Sequence, residues 1–129
     1  MAPAFPEGSD LVVDTRYYRH ESPRRGDIIV FPASTRPGLL LFKRVIATGG
    51  DTIKIEGDVV YLNGNLLSEP YAKCEGSGDA LLSVAPIALP AGKLFVMGDN
   101  RHVSFDSRYA GFGLVDITAV RGKVIYALF

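Results

Sequence analysis

The chain has 129 residues, 47% of them apolar or aromatic, with 14 basic and 14 acidic side chains and no formal net charge. This is the length of a single domain with enough apolar mass for a core, and its charge balance leaves no footprint for nucleic acid and no electrostatic membrane patch. One cysteine, Cys74, excludes an internal disulfide and reads as a small buried hydrophobe or a loop residue; no apolar run approaches the roughly 18 residues of a membrane-spanning helix, and no secretory signal peptide is visible.

Residues 1–8 are proline-rich and exclude a regular helix or a central strand. Residues 10–15 read as a short strand, and 16–25 as a polar, basic loop or irregular turn. Arg25-Gly26-Asp27 is a turn into a strand at 27–31, stopped by Pro32. A polar connection over 33–38 precedes a strand at 39–48, broken by Gly49-Gly50-Asp51. Strands at 52–55 and 59–62 flank Glu56-Gly57-Asp58 as a tight hairpin, and Asn63-Gly64 is a strong two-residue turn signal leading into 65–67. Residues 68–83 read as a short insert, aperiodic from 70 onward. Residues 86–90 approach a strand at 93–97, residues 114–120 suit one helical turn, and 122–129 form a closing strand. Short strands punctuated by Gly and Pro, with almost no helical period, predict an all-β fold in one domain spanning 1–129.

Two stretches carry the chemistry. The first is Leu39-Leu40-Leu41-Phe42-Lys43-Arg44-Val45-Ile46-Ala47, a lysine inside an apolar strand. Leu41, Lys43 and Val45 share one face by strand alternation, and the strand reads as buried on both faces. Lysine is almost never fully buried without a partner, and burial lowers its proton affinity. A neutral amine at working pH can take a proton from a serine hydroxyl, the Ser-Lys form of nucleophile activation. The alternatives are that Lys43 snorkels to solvent or pairs with Asp99 or Asp106.

The second stretch is Val96-Met97-Gly98-Asp99-Asn100-Arg101-His102-Val103-Ser104-Phe105-Asp106-Ser107-Arg108, which crowds turn formers, charges and two serines into a few residues. On residues alone it is either a solvated hairpin connection or a functional loop. Ser104, His102 and Asp106 invite a Ser-His-Asp reading, but residues two apart on an extended segment lie side by side and do not converge. Asp106 and Arg108 are spaced to pair as a brace, and Asp99 can pair with Arg44, which points away from Lys43 across the strand. His20 reads as a surface residue. Two distant histidines and one cysteine make no metal set, and no phosphate-cradling glycine motif is present.

Together these stretches resemble the bacterial type I signal peptidases. The matches are Lys43-Arg44-Val45-Ile46 followed by Gly50-Asp51, and Gly98-Asp99-Asn100-Arg101 followed by Ser104 and Asp106-Ser107-Arg108. Met1-Ala2-Pro3-Ala4-Phe5, with Glu7-Gly8 and Asp10, is similar to the family's Ser-Met-x-Pro-Thr-Leu segment. The family pattern puts the nucleophilic serine directly before that methionine and a membrane anchor further upstream. On that register both would precede Met1, so residues 1–129 are expected to fold without cleaving. Three departures stand out: Ala4 for threonine, Gly49 for the frequent proline, and His102-Val103 for an acid and an amide.

The resemblance implies a signal-peptidase fold of coiled antiparallel sheets around the catalytic site. It implies a serine endopeptidase that removes signal peptides from secreted preproteins at the outer face of a bacterial cytoplasmic membrane. Lys43 would be the general base and Ser104 the hydroxyl that orients it. Arg44, Asp99, Asp106 and Arg108 would support the site. Met1, Phe5, Leu40, Leu41 and Phe42 would bind an extended substrate with small residues at the first and third positions before the scissile bond. The serine's own backbone N–H would help bind the oxyanion. No cofactor, metal or nucleic acid is implied; the partners are signal peptides and, for the anchored protein, the membrane surface. Two other classes remain open at this point: a non-catalytic peptide-binding relative, and a self-cleaving repressor-type Ser-Lys regulatory domain.

Overall fold

A computed structural model of the chain describes residues 10–34, 36–57, 59–70, 72, 83–101 and 104–128. Among these described residues ten strands run in the order β1 (Asp10–Asp14), β2 (Ile28–Pro32), β3 (Leu40–Ala47), β4 (Thr52–Glu56), β5 (Val59–Leu62), β6 (Asn65–Leu66), β7 (Val84–Ala88), β8 (Lys93–Met97), β9 (Val115–Asp116) and β10 (Gly122–Leu128). Helix among the described residues is confined to two short 3-10 turns, Tyr17–Arg19 and Ile117–Ala119. The fold is all-β.

Two antiparallel sheets form, one in the order β1-β10-β2-β3-β8-β9 and the other in the order β6-β5-β4-β7. The second is built from local hairpins. Asn63 (φ 52°) and Gly64 (φ 83°) both take the left-handed conformation that a two-residue hairpin turn requires, as an Asn-Gly pair does most readily. Asp51 ties the sheets at their junction. Its carboxylate accepts from the Thr48 backbone N–H (2.9 Å) and from Asn63 Nδ2 (3.1 Å).

β3 and β8 form the shared wall. Their register runs Arg44 opposite Met97 and Val45 opposite Val96, then slips so that Ala47 meets Phe95. Ile46 is the extra residue of this bulge, and a bulge turns the strand as it passes. Val45 accordingly joins one apolar cluster, with Ile29, Phe31, Leu94, Val96 and Val115, while Ile46 and Ala47 join the cluster between the sheets. Alternation along β8 sends Leu94 and Val96 to the first and Phe95 and Met97 to the second. Each large side chain fully buried in this way contributes about 1.5–3 kcal/mol. A third cluster, Ile28, Val30 and Val124, lies on the opposite face of β2.

Three expectations need correction. The strand carrying Lys43 is not buried on both faces throughout: Leu39 and Leu40 are exposed, Leu40 by 55%, and burial is complete only from Val45. The reason is that β8 ends at Met97, so residues 40–42 pair with β2 alone among the described residues. Residues 84–88, of which 86–88 are expected from sequence only to approach the next strand, form a strand on the edge of the second sheet, where Pro86 can sit without a ladder donor. Residues 114–120 give a two-residue strand before their helical turn, capped by the Asp116 carboxylate on the Thr118 N–H. Most of the insert, including Cys74, lies outside the described residues, as do Met1, Phe5, His102 and Val103.

Candidate active site

Strand register brings the two marked stretches together. With Arg44 opposite Met97, the next position along β3 faces the point where β8 gives way to a loop, so Lys43 stands across from Gly98. Strand alternation puts Lys43 on the face of Leu41 and Val45, and Arg44 on the other.

Lys43 Nζ donates to Ser104 Oγ at 2.9 Å. Ser104 Oγ also accepts from the Gly98 backbone N–H at 3.1 Å, which fills both of its lone pairs. The same N–H reaches Asp106 Oδ2 at 3.0 Å. A hydroxyl does not favour the charged form of an amine over the neutral one as a carboxylate does. Burial pushes Lys43 below its ordinary proton affinity; the Asp106 carboxylate opposes this and the Arg108 guanidinium assists it. The two carboxylates weighed from sequence as partners for the amine are each paired with an arginine. Asp99, fully buried, takes Arg44 in a two-pronged pair, Nε to Oδ1 at 2.9 Å and NH2 to Oδ2 at 2.7 Å. Asp106, also fully buried, takes Arg108, with Nε to Oδ1 at 2.8 Å and NH2 to Oδ2 at 3.0 Å. Among the readings left open from sequence, the structure thus places Lys43 against a hydroxyl.

Asp106 and Arg108 pair as their spacing suggested, but on a turn, not an extended segment: the Tyr109 N–H closes on the Asp106 carbonyl at 2.9 Å. Arg108 NH2 additionally caps the Arg101 and Ser104 carbonyls at 2.8 and 3.2 Å. Ser107 returns the loop to β8, with its Oγ accepting from the Val96 N–H (3.0 Å) and its own N–H donating to the Val96 carbonyl (3.1 Å).

Leu41 and Phe42 do not meet. Leu41 packs towards Phe31 and Phe112, beside an apolar cleft that Ala33 and Leu114 also line, whereas Phe42 lies against the Val30–Val124 cluster on the opposite face. Sequence reasoning gave no role to Gly98, Glu69, Arg101 or Ser107. Gly98 reads from sequence as a turn residue, yet its requirement is space. A Cβ there would lie 2.6 Å from Ser104 Cβ and 3.5 Å from Lys43 Nζ.

A family model described as signal peptidase, peptidase S26, matches residues 1–129. The chain belongs to the signal peptidase family. It is 40% identical over 121 residues to signal peptidase I V of Bacillus subtilis (strain 168), covering 86% of this chain and 71% of that one. It is 36% identical over 135 residues to signal peptidase I of Bacillus licheniformis, covering all of this chain and 72% of the relative. Among solved structures it resembles a signal peptidase I from Enterococcus faecalis V583, with TM-score 0.65 and 36% identity over 81% of this chain and 97% of that one. The fold is that of a signal peptidase, and the repressor-type and non-catalytic readings are not favoured.

Proposed function

We propose that the chain is the catalytic domain of a serine endopeptidase that removes signal peptides from secreted preproteins, with Lys43 as general base. The observation that carries this is the Lys43–Ser104 contact at 2.9 Å, made by a lysine whose burial disfavours its charge. The attacking group is the serine hydroxyl that the family pattern sets directly before Met1. Its oxygen bonds to the scissile carbonyl carbon while its proton passes to Lys43 Nζ. The resulting ammonium returns the proton to the leaving amine as the peptide bond breaks, leaving the signal peptide as an ester on the attacking serine. Water, activated by the same amine, then cleaves the ester and releases the signal peptide. Ser104 keeps the Lys43 lone pair aimed by accepting one of its N–H groups.

The substrate lies extended along residues 40–42, whose edge away from β2 has no strand partner among the described residues, and adds to the sheet by main-chain hydrogen bonds. Leu40, exposed at that edge, and Leu41 and Phe42 on its two faces are the proposed contacts in the described part, joined by Met1 and Phe5. The family is membrane-anchored, and the site is proposed to work at the outer face of a bacterial cytoplasmic membrane. Among the described residues no helix is long and apolar enough to cross one.

The test compares residues 1–129, the same chain carrying a serine directly before Met1, and that chain with Lys43→Met. The probe is a fluorogenic peptide with alanine at the first and third positions before the scissile bond. Cleavage by the serine-bearing chain alone is expected. Cleavage that persists in the Lys43→Met chain removes Lys43 from the role of base.

A further inference from the structure

The Gly98 backbone is pinned on both sides of its Cα. Its N–H serves Ser104 Oγ and Asp106 Oδ2, as described. Its carbonyl accepts from Arg101 Nε at 2.8 Å. The rest of the Arg101 guanidinium runs as a fork into Glu69, NH1 to Oε1 at 3.0 Å and NH2 to Oε2 at 2.6 Å. These two side chains are only 2% and 8% exposed. Glu69 follows β6 of the second sheet, whereas Arg101 belongs to the loop after β8.

A buried ion pair is weak evidence for stability, because desolvating both charges offsets most of their attraction. Geometry is the better account of this one. A guanidinium held by two parallel hydrogen bonds has a fixed plane, so its third edge has a fixed direction. That edge meets Gly98. The Gly98 N–H lies in the Met97–Gly98 peptide plane and its carbonyl in the Gly98–Asp99 plane; with both engaged, the φ and ψ torsions that join the two planes are held, and the N–H that holds Ser104 stays aimed.

We propose that Glu69 is a positioning residue for the active site: through Arg101 it fixes the Gly98–Asp99 peptide plane and, across the Gly98 torsions, the aim of the Gly98 N–H that holds Ser104 Oγ against the Lys43 amine. This rests on the reading of Lys43 and Ser104 given above. Glu69 touches neither of them. Without its carboxylate, the Arg101 guanidinium turns towards another acceptor and releases the Gly98 carbonyl. Ser104 then loses one of its two donors, and water reaches the amine.

The sign of the pH effect separates positioning from a simple field. The charged groups acting on Lys43 are Asp106 and Arg108, with Arg44 and Asp99 paired on the strand's other face. Removing a distant negative charge would lower the proton affinity of Lys43. Rehydrating the amine raises it.

The test uses Glu69→Gln, which keeps size and one acceptor oxygen, and Glu69→Ala, which keeps neither. In the serine-bearing chain, kcat is expected to fall by roughly tenfold for Gln and up to about 100-fold for Ala, with KM unchanged and the acid limb of the kcat profile moved to higher pH. In residues 1–129, hydrogen exchange at the Gly98 amide is expected to speed up in the same order. The glutamine variant carries the test if the alanine variant does not fold. An unchanged Gly98 exchange rate, a loss confined to KM, or an acid limb moved to lower pH overturns the proposal. The outcomes are separable from the parent reading: full activity of Lys43→Met sinks that reading, whereas an inactive Lys43→Met beside an unaltered Glu69→Gln sinks only this one.

Discussion

Gly98→Ala puts the smallest possible side chain into the gap on which the site depends. The added Cβ would overlap Ser104 Oγ and sit 2.6 Å from Ser104 Cβ, while Lys43 Nζ, at 3.5 Å, is within ordinary contact range. Carbon atoms at rest are about 3.5–4.0 Å apart, so Ser104 must retreat by about 1 Å. Two costs follow. Overpacking of this kind destabilises a fold by roughly 1–3 kcal/mol, readable as a lower urea midpoint with unchanged slope. A displacement of about 1 Å in the group that aims the base costs about 100-fold in turnover, near 2.7 kcal/mol of barrier. The assay is kcat on the alanine-containing peptide with the serine-bearing chain, beside urea unfolding of residues 1–129. Adding Ser104→Gly to Gly98→Ala clears the overlap, so most of the stability should return while turnover stays low for want of the hydroxyl. Gly98→Ala turning over within twofold of the parent would refute the claim that Ser104 must stand where it does.

Breaking the Arg44–Asp99 pair with Arg44→Met takes the guanidinium from a fully buried carboxylate and should cost about 3–5 kcal/mol in urea unfolding, most of it regained in Arg44→Met with Asp99→Leu; a loss under 1 kcal/mol would show the pair to be ornamental. Asp106 favours and Arg108 disfavours the Lys43 proton, so Asp106→Asn should move the acid limb of the rate profile to lower pH and Arg108→Gln to higher pH. Equal movement of both in one direction would contradict this. Lys43 also links stability to pH. Its folded-state pKa lies below the ordinary value, so between that pKa and about 10.5 the unfolded chain binds the extra proton and stability rises with pH. Parent minus Lys43→Met stability should therefore climb through that window and be flat below it, and a falling difference would reverse the sign assigned to burial.

Much of this was legible because the pattern was local. Asn63-Gly64 announces its hairpin, and the apolar runs around Lys43 and before Gly98 announce strands. Strand pairing was not legible, and it decides where burial stops: nothing in Leu39-Leu40-Leu41-Phe42 says that β8 ends before reaching them. Residues 84–88 were missed because Pro86 argues against a strand unless its edge position is known. At the site, Lys43 and Ser104 stood out by their unusual company. Glu69 did not, because an isolated acid after a turn looks solvated until the fold brings a guanidinium to it from 32 positions away. Gly98 was visible as a turn former, but its need for empty space exists only once Ser104 has folded back over it.

Catalysis by Lys43 requires that its amine shed its proton in this fold. An NMR titration of Lys43 Nζ in residues 1–129, labelled with nitrogen-15, measures that directly and requires no nucleophile. The amine should lose its proton below the ordinary lysine value of about 10.5. A midpoint at or above the ordinary value would contradict the central claim.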